Sequence, residues 1–417
     1  MVSTGLPKKR LLMVMPYSQF VRKAAEAGFE VWAIWDPSLR ERSYLDEVSE
    51  HARELLLTDF SDEPALRELI TRTALAHGID TVLHMGSEDS MGPAVAAAEA
   101  LGLSPNTAES VRLLNDKAAM RALLAEAGLS PVRAEPAGTV AEAAAVAGRL
   151  PLPVVVKPSQ ASGSRGVALI RDGADLQEWA ARVEGGGLAG PFLVEEYLEG
   201  PEFSVETLSR DGAHHVVGIT AKQTTGAPGF VERAHFHPAL LEPADASAIG
   251  QVVTGLLDLA GYTFGPAHTE VILTAGGPRI VESQTRLGGD RIPLLIETAT
   301  GFDIEAEIFR TLAGAPVEVP RAKHTAAVGF FFLPPGRLES VSGREAILAL
   351  PYVHQLHFPF EPGAELPATK DSFTRHGYVI VDAQSPAEAA ARIERARALL
   401  GAEVRENTVA APIGALL

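Results

Sequence analysis

Between residues 10 and 102 the chain alternates short apolar runs with helix-patterned ones, which restricts it to an open parallel α/β sheet. RLLMVM is followed by YSQFVRKAAEAG and FEVWAIW, with Gly28 where a helix C-terminus belongs. ELLLTDF, a helix over 62–77, IDTVLHMG and the helix MGPAVAAAEALG continue the pattern. Sheets of this kind often bind dinucleotides through a GxGxxG turn after the first strand. Here that turn reads MPYSQF and holds no glycine, which disfavours a nicotinamide oxidoreductase.

Beyond residue 112 the pattern changes. Asp116 is placed to cap a helix that ends at Gly128, a second helix spans 139–148, and LPVVVKP and GVALI are short strands. FLVEEYL, EFSVETLS and HHVVGIT follow, the last two joined by an Asp211-Gly212 turn, so this region is α+β and largely antiparallel. After a helix over 243–261 comes the hairpin HTEVILTAGGPRIVESQTR, with its turn expected at Gly276-Gly277-Pro278. The last hundred residues give strands at AVGFFFL and GYVIVD. Their closing helix opens on the capping box Ser385, Pro386, Glu388 and stops at Gly401. For 417 residues we expect three domains: 1–112, 113–315 with a lid at about 113–198, and 316–417.

Composition excludes several classes. With no cysteine there is no disulfide frame, thiolate nucleophile or cysteine metal site. A net charge of −17 disfavours general binding to nucleic acid or an anionic membrane, because a polyphosphate surface repels it. No stretch reaches the ~20 apolar residues of a membrane span. The opening PKKRLLMVMP has too short an apolar run for a signal peptide, so we read a first strand and expect a cytoplasmic protein.

Three segments carry chemistry. SQASGSRG joins two strands just after Lys157; its small residues let backbone N–H groups approach phosphate, and the lysine supplies a point charge. It departs from GxxxxGK[ST], which disfavours a P-loop NTPase. In LVEEYLEGPEFSV, Glu195, Glu196, Tyr197 and Leu198 run into Gly200, Pro201 and Glu202, a strand-to-turn segment suited to an adenine edge and ribose hydroxyls. On the hairpin, Glu270 lies on one strand, and Glu282, Gln284 and Arg286 share a face of the other at period two. Two carboxylates and an amide are hard oxygen ligands for Mg²⁺, and Arg286 can steady a phosphoryl group or oxyanion. The competing reading is a solvated face with Glu282 and Arg286 ion-paired.

Taken in order, Lys117, Lys157 with its glycine-rich loop, VEEYLEGPE, and Glu270 with VESQTRLGG resemble the ATP-grasp superfamily, most closely its biotin-carboxylase-like branch. The resemblance covers essentially the whole chain. It implies an α/β and α+β protein: an N-terminal open α/β domain, a two-part ATP-clamping region and a C-terminal α+β domain. It implies that Lys117 and Lys157 contact ATP phosphates under the loop of Ser162, Gly163, Ser164 and Gly166. Glu195, Glu196, Tyr197 and Leu198 would lie at the adenine and Glu202 at the ribose. Glu270 and Glu282 would hold Mg²⁺ (or Mn²⁺), with Gln284 where the family usually has asparagine. GFVERAHFHPA resembles a loop of the L-amino-acid ligases and dapdiamide-type synthetases, which implies roles for Glu232 and His235 near the metal and acyl phosphate. Arg286 and Gly289 would hold phosphate and the amino-acid substrate, and His237 receives no role. Asp290 is expected to cap the following helix. A second expectation gives it a cationic amine to attract.

The implied activity is ATP-dependent joining of a carboxylate to an amine through an acyl phosphate. Both substrates are small molecules, amino acids among them, and this branch often forms homodimers. Carboxylation through carboxyphosphate and a catalytically silent nucleotide-binding module are the alternatives.

Overall fold

A computed structural model of the chain describes residues 9–86, 90–159, 163, 165–186, 190–227 and 229–406. Strands β1 (Arg10–Val14), β2 (Glu30–Trp35), β3 (Glu54–Leu57) and β4 (Thr81–His84) form a parallel sheet in the order β3-β2-β1-β4. Helices pack on it, so Leu11, Leu12, Met13 and Val14 are all fully buried. That explains the unbroken apolar run of β1, where a half-exposed strand would alternate. Asp116 caps the Lys117–Glu126 helix as expected, accepting from the N–H groups of Ala118 and Ala119 at 2.9 and 3.0 Å.

A second sheet, entirely antiparallel, holds β5 (Ala134–Ala137), β6 (Val154–Pro158), β7 (Ala168–Ile170) and β8 (Phe192–Glu196) in the order β5-β8-β6-β7. It has its own apolar core, with Trp179 edge-on to Phe192. The Lys117–Glu126 helix does not join that core; Met120 and Leu124 pack with the main sheet instead.

The main sheet has eight strands, all antiparallel. They are β9 (Glu202–Arg210), β10 (Ala213–Thr224), β11 (Glu232–His237), β12 (Gly265–Thr274), β13 (Gly277–Gln284) and β14 (Thr325–Phe330), with two further strands from the last hundred residues. A three-stranded sheet is made by β15 (Gly336–Ser342), β17 (Glu365–Leu366) and β19 (Gly401–Glu406), while β16 (Val353–His357) and β18 (Tyr378–Ala383) complete the large one. The order β13-β12-β9-β10-β11-β14-β18-β16 makes the C-terminal strands continuous with the middle of the chain.

Two local expectations are corrected. Thr274 pairs with Gly277, so the hairpin turns at Ala275-Gly276, and Pro278 lies inside β13. β13 is an edge strand, where a missing N–H is tolerated. Gly401 ends the Pro386–Leu399 helix region but also begins β19, which the sequence did not mark. GAEVRE carries little apolar patterning, and pairing with β15 makes it a strand.

His237 finds its place in this core. Its Nδ1 is 3.0 Å from Thr220 Oγ1, and the bare backbone of Gly218 packs against the ring. Burial pushes the imidazole down from 6.5 to about 4, so it is neutral when folded. The unfolded chain takes up that proton first. Stability from this site is therefore complete above about pH 6.5 and is lost as pH falls through about 4, in all roughly 3 kcal/mol. Melting midpoints measured across that window should fall with acidification, and His237→Gln should flatten the fall.

Candidate functional site

The hairpin register sets the site. Glu270 of β12 pairs directly with Glu282 of β13, and His268 pairs with Gln284. All four line a cavity of about 910 Å³ that runs toward the first domain and also takes in Arg286 and Gly289. Adjacent carboxylates repel, and two lysines relieve the repulsion here. Lys117 Nζ is 2.9 Å from Glu282, while Lys222 Nζ is 2.6 Å from Glu270, 2.7 Å from Glu202 and 3.8 Å from Glu232. Burial works against the Lys222 charge, but the three carboxylates win and hold its pKa well above the usual lysine value. Burial likewise opposes ionisation of Glu270, and Lys222 with His268 overcomes it. Glu270 therefore presents a charged, hard oxygen.

Lys157 comes from β6 on the small sheet. Its Nζ is 2.6 Å from Glu195 and donates to the Val281 carbonyl at 3.1 Å, tying the small sheet to the hairpin. Arg121 Nε binds the other oxygen of Glu195 at 2.7 Å. The Glu195 carboxylate thus orients two cations, and Glu196 pairs with Arg133 at 2.8 Å. Tyr197 and Leu198, with Val155, Phe230, Ile272 and Val281, wall an adjoining cavity of about 150 Å³. Glu202 also lines it, its carboxylate held by Lys222. Of the glycine-rich loop, Gly163 and Gly166 have φ of 69° and 73°, a region where glycine is favoured. Ser162 and Ser164 lie outside the described residues.

Glu232 and His235 stand on β11, and His235 is in register with Lys222 of β10. His235 Nε2 is 3.0 Å from Asp290. Arg375 grips the same carboxylate with both terminal nitrogens, one at 2.9 Å, and stacks 3.6 Å over the Phe330 ring. Ser372 hydrogen-bonds Glu232. Burial alone would raise the Asp290 pKa, but His235 and Arg375 together hold it far below the usual carboxylate range.

The capping expectation for Asp290 is corrected by this geometry. The residue capping the Ile292–Thr300 helix is Arg291, with φ 65° and no side-chain cap, and the cation at Asp290 is the protein's own Arg375. Asp290 follows the hairpin by only a few residues, and its side chain turns back into the site instead of along the helix.

The turn after Arg286 is fixed from below. Glu206, fully buried, accepts from the Gly288 N–H at 2.9 Å and from His268 Nδ1 at 2.5 Å. A side-chain carbon at Gly288 would sit 2.5 Å from Glu206 Oε1 and 2.8 Å from His268 Nδ1, so any other residue there would displace that pair. Burial disfavours charge on His268, yet Glu206 and Glu270 push its pKa up to about 9. Arg286 Nη1 donates to the Leu287 carbonyl at 2.9 Å.

Sequence reasoning missed Lys222, His268, Glu206, Ser372 and Arg375. His268 was within reach, since it lies two residues before Glu270 on the same strand face. Lys222 and Arg375 carry no local signal, because sheet order and a distant loop bring them in. Among the described residues no three His, Cys, Asp or Glu side chains cluster as a metal cage. Two carboxylates and the Gln284 amide, which lies 3.5 Å from Glu282, suit instead a hard cation that takes its remaining ligands from phosphate and water.

Comparison with known proteins bears on the family and the fold. Residues 150–293 match the ATP-grasp domain family, and residues 329–405 match the L-amino acid ligase C-terminal domain 2 family. An uncharacterised Sinorhizobium fredii protein is 31% identical over 294 residues, 69% of this chain and 61% of that protein. Dapdiamide A synthase of Enterobacter agglomerans is 26% identical over 320 residues, 72% of this chain and 75% of the enzyme. The crystal structure of L-amino acid ligase from Bacillus licheniformis superposes with a TM-score of 0.81 at 24% identity, covering 96% of this chain and all of that one.

Proposed function

We propose that the chain, which belongs to the ATP-grasp superfamily and carries the C-terminal domain of the L-amino acid ligases, joins an amino acid to an amine through an acyl phosphate. One observation carries the reading: Glu270 and Glu282 face each other across the hairpin, among Lys117, Lys222 and Arg286, in a cavity that continues past Glu232 and His235. A site with two carboxylates and converging cations suits transfer of a phosphoryl group, and the remaining volume suits a second substrate.

In this reading the adenine lies between Tyr197 and Ile272, and Lys117 and Lys157 meet the phosphates. Glu270, Glu282 and Gln284 would hold Mg²⁺, which spreads the charge of the transferring phosphoryl group. A substrate carboxylate oxygen attacks the γ-phosphorus, and the bond to the bridging oxygen breaks to release ADP. The amine nitrogen then attacks the acyl carbon, loses its proton, and phosphate departs with its C–O bonding pair. Arg286 steadies the negative oxygen of the tetrahedral intermediate. Glu232 and His235 stand at the cavity wall where the acyl group and amine meet.

Carboxylates and amines tested in pairs with ATP and Mg²⁺ check this. We expect phosphate release that depends on both partners, and a product mass equal to acid plus amine less water. Phosphate release that follows bicarbonate and ignores the amine would overturn the reading in favour of a carboxylase.

A further inference from the structure

One end of the large cavity is walled by aromatic rings. Phe330 of β14 and Tyr378 of β18 are cross-strand partners that meet edge to face, their ring centres 6.4 Å apart, and both line the cavity. In sheet order these strands stand beyond β11, on the side away from Glu270 and Glu282. Arg375 lies over Phe330. Arg291, which also lines the cavity, lies over Tyr378 with its guanidinium carbon 5.0 Å from the ring centre.

The two arginines differ in what they hold. Arg375 grips the Asp290 carboxylate, which is shared with His235. Arg291 is exposed and pairs with no carboxylate among the described residues, although Asp290 is its neighbour in the chain. The chain has 53 acidic residues against 36 lysines and arginines, so acids to neutralise an arginine are plentiful. Its backbone, at φ 65°, lies in a region that is costly for a residue with a side chain. A guanidinium laid on an aromatic face is held in plane, and its N–H edge stays available for two parallel bonds to a carboxylate.

We infer that Arg291, seated on Tyr378, binds a carboxylate that the substrates keep through the reaction, so that the enzyme selects a substrate with a spare carboxylate. The inference deepens the ligase reading above and rests on it. The reacting carboxylate must meet ATP near Glu270 and Glu282, whereas Arg291 stands past the strand of His235, where the other end of a substrate reaches. That end is either a second carboxylate on the acid or the carboxylate of an amino acid serving as the amine, and one guanidinium recognises both alike.

The test takes the acid–amine pair that the wild type turns over fastest and masks, in turn, each carboxylate that survives in the product as its primary amide. KM and kcat are measured for wild type, Arg291→Gln and Arg291→Lys, with melting midpoints alongside. In the wild type one masking should raise KM roughly tenfold or more, with little change in kcat. Arg291→Gln should raise KM for the unmasked substrate by a similar factor, and masking should then add nothing. Arg291→Lys keeps the charge without the fork and should fall between. The partner whose masking matters is the source of the carboxylate. A wild-type KM in Arg291→Gln, a masking cost as large in Arg291→Gln as in wild type, or a fastest pair with no spare carboxylate would each overturn the inference. If no pair yields amide, the ligase reading fails. Succinate titrated into wild type and Arg291→Gln, with a non-hydrolysable ATP analogue and Mg²⁺ present, then reports on Arg291 alone: weaker binding in the variant supports the carboxylate site, and equal binding overturns it.

Discussion

Glu270→Gln and Glu282→Gln should each lower kcat/KM for ATP-dependent product formation by about a thousandfold. The two carboxylates are cross-strand partners, so each variant removes one of two charges that share a single position. The amide keeps nearly the same volume and can still hydrogen-bond, so the sheet has little reason to shift. Glu282→Gln gives the cleaner result, because Glu282 pairs with Lys117 alone among the described ion pairs, whereas Glu270 also anchors Lys222 and His268. The measurement is steady-state kinetics across Mg²⁺ concentration with melting midpoints alongside. A Glu282→Gln enzyme within tenfold of wild type would show that the pair is not the metal platform.

Lys222→Met should be the most destabilising single change in the site. The lysine side chain is 4% exposed and is the shared partner of Glu202, Glu270 and Glu232. Methionine fills much of the same space but leaves three neighbouring carboxylates without their cation. Breaking a buried charge cluster by removing one partner costs about 3–5 kcal/mol, mostly as uncompensated charge. Adding Glu202→Gln should then recover part of the loss, because one carboxylate fewer needs a partner. Mg²⁺ should raise the melting midpoint of Lys222→Met more than that of the wild type, since the cation relieves the same repulsion. Equal midpoints for Lys222→Met and wild type would mean that the cluster carries no net strain.

Several site residues were legible because their signals are local. Period two on β13 put Glu282 and Gln284 on a common face, with Arg286 just beyond the strand's end; the two-residue turn alone would set Glu270 opposite Val281, and a β-bulge beside Glu270 moves it opposite Glu282. Lys157, Gly163 and Arg165, neighbours in sequence, also stay neighbours around the smaller cavity. Asp290 was not legible. Its position before a helix suggested a cap, yet the left-handed backbone at Asp290 and Arg291, φ 51° and 65°, turns the carboxylate toward Arg375, 85 residues away. A short polar residue ahead of a helix is a good local candidate for capping, and a long-range ion pair outweighs that preference.

By itself the sequence determined the kinds of sheet and the common face of Glu282 and Gln284, because strand periodicity acts over a few residues and needs no distant partner. Tertiary structure alone decided which cation serves which acid. Lys222 meets Glu270 because β9 lies between their strands and puts β10 two places from β12, and Arg375 meets Asp290 because a C-terminal loop folds back across the sheet. Sheet order and loop path are set by burial summed over the whole chain, so no single window of residues carries them.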